Sequence, residues 1–479
     1  MTGTAQRRRT PPASERACLR RAGAGLDFLF VIRTYPEEFD PLLAVGRALE
    51  RRGYTFGVLT ISRTIANACA AQRVACTNLL DLQEPAPALS PPACGAVERR
   101  YGLVSLREFC LPESVYLGTS REAPLWERAA AALAAFERYF ESTSVGCVVQ
   151  YLGAEILRRS AYRVALRRGI PHLWLDASPF AGTMDIRVHE GAAFEDAHYD
   201  PDRPLDAGQR RELDAAVRAF IEGRRRGGPR FDAPTVTPRK ALQFAREVRR
   251  TLLVDRREDY YQSVWRITAN TARKTLRKHL ARPLYQPLPQ PPYVFMPLHV
   301  PDDSQISVRA PQYLRQEALV DWVARALPQG LTLCVKEHRA GIGAMPPRAL
   351  ADIRRHPNVA LVSPDVNALS LVEGAQAVVV IASTIGFKAL ICRKPVVSLG
   401  PSFYRGRGLT HDCDNPADLP AALRRALDTP VDAERVDRLV YAVLRAAWPG
   451  APFAGGDPDQ GAESLLAKLD QVRRHCAAP

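Results

Sequence analysis

The sequence has no apolar run long enough to cross a membrane, because none of its segments approaches about eighteen uninterrupted apolar residues. Its opening, MTGTAQRRRTPPASERACLRRAGAG, is basic and lacks an apolar core, so it does not read as a secretion signal. Residues 1–24 are expected to form a disordered basic arm. The ten cysteines show no CxxC spacing, and several sit inside apolar runs such as SVGCVVQ and LTLCVK. Reduced, structural cysteines of a cytoplasmic protein fit that pattern. Zinc-finger, RNP and heptad patterns are absent too, which removes the usual signatures of nucleic-acid binding. There is no G-x-G-x-x-G fingerprint and no P-loop.

What is present is a long chain with ample apolar content. At 479 residues and 46% apolar it suits two domains of ordinary size that fold without disulfides or a structural metal. Its formal charge of +15 favours anionic partners: nucleotides, phospholipid surfaces, an acidic glycan or nucleic acid, the last without any motif to support it.

The same grammar of strands and helices occurs twice. LDFLFVIRT (26–34) reads as a strand, FDPLLAVGRALERRG (39–53) as a helix and YTFGVLTIS (54–62) as a second strand. After a less regular stretch come a strand at SVGCVVQ (144–150), a helix at 153–169 and a strand at IPHLWLDASP (170–179). Residues 80–95 and 224–238, rich in Pro, Gly and Ala, read as loops. Residues 239–279 are helical in pattern and strongly basic, and ARPLYQPLPQPP (281–292), with five prolines, ends that helix. Strands then follow at YVFMPLHV, LTLCVKE, VALVS, AVVVIAS and PVVSLG, with helices between them. The fold class predicted is therefore α/β, with two Rossmann-like domains facing a cleft.

The predicted organisation has five parts. They are the arm 1–24, an N-terminal domain 25–235, a basic helical segment with its proline-rich linker 236–290, a C-terminal domain 291–435, and C-terminal helices and tail 436–479. The last helical pattern, AERVDRLVYAVLRAAW, is expected to cross back and brace the first domain.

Ligands of open α/β sheets bind beyond the carboxyl ends of the strands, so the polar residues there are the candidates. In the second half they are His299; Lys336, Glu337, His338 and Arg339; Ser383, Thr384 and Gly386; then Ser402, Tyr404, Arg405, Arg407 and His411. In VVVIASTIGFKAL the small residues STIG break strand from helix. A hydroxyl there can cap the helix, the glycine permits close approach of a ligand, and the free N–H groups of the first turn favour phosphate. Lys336, Arg405 or Arg407 would supply charge from adjacent loops. Lys, Glu and His together at one strand end would be a costly way to build a core, which favours a site. His299 and His338 lack a third ligand at recognisable spacing, so no metal is predicted.

Taken in order, YVFMPLHVPDDSQI, LPQGLTLCVKEHRAG, HPNVALVSP and IASTIGFKALICRKPVVSLGPSFYRGRGLTHD resemble the capsule polysaccharide biosynthesis family, which includes the bacterial β-Kdo transferases and is similar to GT-B-like glycosyltransferases. The likeness is densest over about 293–415, with a fainter echo in VVQYLGAEILRRSAYRVALRRGIPHLWLDASPFAGTMDIRVHEGA. It implies a donor-side second domain, an acceptor-side first domain and a nucleotide-activated sugar as donor, with CMP-Kdo among the candidates. Lys336 and His338 match the family's Lys-Glu-His group, which is expected to contact the donor phosphate. Ser383, Thr384 and Gly386 match its small-residue turn, Lys394, Pro395 and Gly400 the stretch after it, and Tyr404 a following aromatic.

Two positions depart from the family. Arg339 stands where proline is common, and Lys388 where a glutamate commonly follows the glycine turn. That glutamate often holds the donor ribose, so Lys388 bears on donor choice. Arg405 is a further candidate cation for the donor. A base for the acceptor hydroxyl is expected from the first domain, with Asp176 first and Asp185 and Glu190 behind it.

The implied partners are a nucleotide sugar, a glycan or lipid-linked glycan acceptor, and an anionic membrane or capsule assembly proteins; nucleic acid is not among them. The implied location is cytoplasmic, including the inner face of the cytoplasmic membrane. Two other readings stay open: a polyol-phosphate transferase of the CDP-glycerol type, and a catalytically degenerate scaffold that binds glycan or nucleotide.

Overall fold

A computed structural model describes residues 25–226 apart from 35–36, 85–88, 120–121 and 192, isolated positions between 242 and 253, and residues 264–477 apart from 452–455. The basic arm 1–24 and nearly all of 227–263 lie outside the described residues.

Two sheets organise the chain. The first contains β1 (Phe28–Ile32), β2 (Phe56–Thr60), β3 (Ala75–Asn78), β4 (Val148–Tyr151), β5 (His172–Ala177) and β6 (Thr183–Arg187). β3, β2, β1, β4 and β5 run parallel in that spatial order, and β6 adds antiparallel to β5. The second sheet holds β7 (Tyr293–Pro297), β8 (Thr332–Lys336), β9 (Val359–Val362), β10 (Ala377–Val380), β11 (Val396–Ser398) and β12 (His411–Asp412). All six are parallel in the order β9-β8-β7-β10-β11-β12. In both sheets the order reverses once, between β1 and β4 and between β7 and β10. These are the switch points at which doubly wound sheets open a crevice. The fold is thus the expected pair of Rossmann-like sheets.

The sequence pattern explains the burial. β1, β2, β4 and β7 are buried at every position, as strands covered on both faces must be. Each sheet has one apolar core on either face. The region read as a loop at 80–95 includes the start of a helix, Pro91–Tyr101. Its prolines occupy the first helical positions, where no N–H is needed, and Gly102 ends it at φ +61°.

The helix Ala433–Ala446 takes a different place from the one expected. Its apolar stripe, Val436, Leu439, Val440 and Val443, is buried in the second sheet's core with Phe387. Periodicity defines such a stripe but not which sheet it meets. The return to the first sheet comes next. β13 (Trp448–Pro449) pairs antiparallel with β6, and helix Pro458–Ala477 places Ala462, Leu465 and Leu469 among Phe39 and Leu42. The helix Ala207–Arg225, which precedes the second sheet in the chain, contributes Leu213 and Phe220 to that sheet's core. The second of these crossings brings residues distant in sequence to the second sheet.

Candidate active site

The switch point of the second sheet is tied together by His299. Its N–H donates to Gln316 Oε1 at 2.7 Å, its carbonyl accepts from Gln316 Nε2 at 3.0 Å, and its Nε2 accepts from the Ala382 N–H at 3.5 Å. The ring therefore acts as a neutral acceptor. Burial, with a smaller contribution from His338, pushes it down to about 4.

On the neighbouring strand, alternation separates Lys336 from Glu337. Lys336 is only 6% exposed and follows Cys334 on the face of the sheet that carries Phe295 and Phe387. Its Nζ donates to the Glu337 carbonyl at 3.3 Å, and burial pushes it down to about 8. Glu337 receives the Tyr285 hydroxyl, and burial raises it to about 7. His338 caps the next turn, its Nδ1 accepting from the Ala340 N–H at 3.2 Å, so Nε2 is the nitrogen it can present. Burial first, then the charges of Lys336 and Lys388, push its pKa down.

The STIG break is a capped helix start. Ser383 Oγ accepts from the Ile385 N–H at 3.1 Å at the head of helix Thr384–Ile391, and Thr384 is exposed beside it. Gly386 and Tyr404 serve another purpose than the one expected. Tyr404 is fully buried, its hydroxyl donates to the Ser383 carbonyl, and a Cβ at Gly386 would stand 2.3 Å from that hydroxyl. The glycine admits the protein's own tyrosine, and the tyrosine braces the turn from within. Arg405 is likewise engaged, pairing with Asp414 at 2.6 Å and lying 3.7 Å from Asp412, so its charge is met inside its own loop. The Arg407 Nε donates to the Phe403 carbonyl at 2.8 Å and its guanidinium lies over Tyr199.

Lys388 sits in a cluster of cations. Burial pushes it down to about 8, with Arg224 and Lys336 acting in the same direction. Arg224 comes from the last turn of helix Ala207–Arg225 and is lowered by burial. Reading by strand ends missed it, since it arrives from a helix that precedes the second sheet by some seventy residues of chain. The basic run RRR at 224–226 was its only sequence signal.

Across the crevice, Asp176 and Asp185 are paired residues of β5 and β6 and share Arg187. Arg187 Nη2 lies 2.6 Å from Asp176 and 2.7 Å from Asp185. Asp185 also accepts from the Phe194 N–H, and burial raises it to about 6. Asp176, 30% exposed along its side chain, is the more accessible of the two. Arg309 of the second half donates to the Glu190 carbonyl at 3.3 Å and is pushed down to about 10 by burial and by Arg187. Glu190 itself pairs with the buried Arg159 at 3.2 Å, which makes it a structural partner.

A cavity of about 260 Å³ opens between the halves, lined by Arg33, Tyr116, Gly153, Glu155 and Arg158 of the first and Asp302 of the second. Burial works to raise Glu155, but Arg158 and Arg33 overcome it and hold the carboxyl at about 2. The stretch LGAEILRR carried the fainter echo of the family, yet strand-end reasoning assigned no site residue to it.

The two doubly wound, mostly parallel sheets, with polar groups at their switch points, are the pair of Rossmann-like units that the sequence predicts. Residues 247–440 match the family described as capsule polysaccharide biosynthesis protein. Among curated proteins, Protein FixF of Sinorhizobium fredii (strain NBRC 101917 / NGR234) is 32% identical over 139 residues, covering 28% of this chain and 32% of its own length. The match thus spans about a third of that relative. Among solved structures, the beta Kdo 2,7 transferase of Thermosulfurimonas dismutans KpsC is 15% identical, covering 74% of this chain and 94% of its own at a TM-score of 0.36. The UDP-GlcNAc 2-epimerase of Methanocaldococcus jannaschii is 11% identical, covering 87% and 99% at 0.32. No helix among the described residues is long and apolar enough to cross a membrane.

Proposed function

We propose that this protein is a glycosyltransferase that uses a nucleotide-activated sugar in the synthesis of capsule or another surface polysaccharide. The observation that carries the reading is the group of basic side chains at the carboxyl ends of the second sheet's strands. Lys336 and His338 follow β8, and Lys388 lies on the capped helix Thr384–Ile391, at a switch point of a doubly wound sheet.

In this reading Lys336 and His338 oppose the negative charge that develops on the departing nucleotide as the glycosidic bond to it breaks. Ser383 and Thr384 offer the helix start to a phosphate oxygen. Asp176 accepts the proton of the acceptor hydroxyl as that oxygen bonds to the anomeric carbon. The cavity between the halves gives room for the acceptor sugar. The helix Val264–Ala281 offers a peripheral contact with anionic lipid on the cytoplasmic side, through exposed Leu276 and Leu280 among Arg273, Arg277 and Lys278.

The test is transfer itself. Purified protein is incubated with CMP-Kdo, the donor implied by the family resemblance, with UDP- and GDP-sugars and with CDP-glycerol, each with a glycan acceptor. Released nucleotide and product mass are read. Transfer that Lys336→Ala abolishes supports the reading, and product mass separates a sugar from a polyol phosphate. A folded protein that releases no nucleotide from any donor would return the scaffold reading to first place.

A further inference from the structure

Three cations of the second sheet's strand-end region come from three separate elements and converge on one floor. Phe220 and Phe387 both contact the ring of Phe180, at centroid distances of 6.3 and 6.4 Å. Arg224 lies one turn beyond Phe220, with its guanidinium 5.5 Å from that ring's centre. Lys388 follows Phe387 on its helix, and Lys336 ends the strand whose Cys334 joins the same core. Among the described residues, none of the three has a carboxylate oxygen within 4 Å. The nearby acids are engaged otherwise: Glu337 with the Tyr285 hydroxyl, Glu373 with Arg225 at 2.8 Å and Asp365 with Arg339 at 3.4 Å.

Cations held together partly out of water without counter-charge oppose one another, and a protein tolerates that arrangement where a ligand supplies the missing anion. The number of cations then reports the charge of the guest. A nucleoside monophosphate joined to a sugar offers one negative charge at the link. A diphosphate link offers two, side by side, which matches two lysines with an arginine among them.

We propose that Arg224, Lys336 and Lys388 form a seat for a diphosphate, so that the donor is a nucleoside-diphosphate-linked sugar rather than a monophosphate-linked one. This rests on the nucleotide-sugar reading above and narrows its donor class. Lys336 and Lys388 each hold one phosphate, and Arg224, with its planar fork of donors, spans the second phosphate from the side of helix Ala207–Arg225. The depressed lysines fit this account, since a bound anion favours their charged form.

The experiment is calorimetric titration of the full chain with inorganic phosphate, pyrophosphate, and the mono- and diphosphates of cytidine, uridine and guanosine. The same series is run on Lys388→Gln and Arg224→Gln. At least one nucleoside diphosphate is expected to bind about tenfold or more tighter than its monophosphate. Lys388→Gln is expected to shrink that ratio to about threefold while moving monophosphate affinity by no more than that. Arg224→Gln, a change on a half-exposed helix end, repeats the result without disturbing the donor-side helix. Equal affinity for mono- and diphosphates overturns the seat and leaves the nucleotide-sugar reading standing. So does a Lys388→Gln loss that falls equally on both. Absence of binding by every nucleotide, with circular dichroism showing a folded chain, overturns both.

Discussion

The hydroxyl of Tyr404 donates to the carbonyl of Ser383 at 2.6 Å, so the loop after β11 clasps the turn after β10. Gly386 completes the clasp by having no side chain, since a Cβ there would stand 2.6 Å from the tyrosine's Cζ. The helix start that forms the candidate phosphate seat is therefore positioned by an internal contact. Gly386→Ala is expected to cost about 1–3 kcal/mol, as overpacking of a filled core does, and denaturant midpoints would measure it. Tyr404→Phe alone should cost about 1 kcal/mol for the lost hydrogen bond. The alanine should cost less on the phenylalanine background, where the hydroxyl it meets is gone. Equal costs on both backgrounds would mean that the ring of residue 404, not its hydroxyl, excludes the side chain.

The pH dependence of anion binding has a definite sign. Lys336 and Lys388 stand at about 8 in the folded protein, each driven down by burial first. Around them Arg224 acts on Lys388 and Arg339 on Lys336 in the same direction, whereas Asp365 and Glu337 act the other way on Lys336, and His338, itself pushed down, is neutral there. A bound anion favours the charged lysines, so binding takes up protons where they are partly neutral, and affinity falls as pH rises through 8. Stability runs oppositely. Between 8 and the ordinary lysine range the unfolded chain binds more protons than the native one, so these two groups make stability rise with pH there. Calorimetry with pyrophosphate at pH 8.5, in two buffers of different ionisation heat, gives the proton count directly. No uptake would separate these lysines from the site.

Much of the fold could be read from the sequence because its strands are short, apolar and covered on both faces, and its helices carry an amphipathic period. LDFLFVI, AVVVIAS and PVVSLG could hardly be anything else in an α/β chain. The residues at the strand ends were legible too, since a strand's last residue is where such sheets present their chemistry. Tertiary choices were not. Periodicity gave Ala433–Ala446 its apolar stripe without saying that Phe387 would meet it, and nothing local to Arg224 places it near Lys388. Tyr404 matches only the aromatic of a following loop in the sequence, because its partner, Gly386, lies eighteen positions earlier. Arg405 resembled a free cation until Asp412 and Asp414 folded back on it.

Glu190, a carboxylate considered for the acceptor base, illustrates why type and position are not enough. Arg159 joins it at 3.2 Å and Glu108 at 3.1 Å, donates to the Phe109 carbonyl at 2.8 Å, and lies 4.7 Å from the centre of the Phe109 ring. Arg159→Met should cost about 3–5 kcal/mol, because breaking a buried pair leaves its carboxylates uncompensated. Arg159→Lys should recover only part of that, since a point charge cannot reproduce the fork that reaches three acceptors. Thermal unfolding of both variants is the check. Full recovery by lysine would show that charge alone matters there.

The C-terminal return to the first sheet should be worth more than its length suggests. Lys468 is 2% exposed and meets Glu195 at 3.1 Å and Asp196 at 2.8 Å, both in the loop after β6. Gln471 adds a bond to Asp196 at 2.9 Å, and Leu465 and Leu469 enter the core beside Phe39 and Leu42. Trp448 meanwhile pairs with Met184 and extends the sheet past β6. Lys468→Ala removes a buried charge and leaves two carboxylates without their cation, a change in the class that costs about 3–5 kcal/mol. The loss should be local, because helix Pro458–Ala477 packs on the first sheet and not on the second. Hydrogen exchange would therefore quicken in β6, β13 and helix Phe39–Arg51 while β7, β8 and β10 keep their protection. Exchange that quickens equally in both sheets would mean that the halves unfold as one cooperative unit. In that case the terminal helix would support the alignment of the two strand-end clusters as well as the first core.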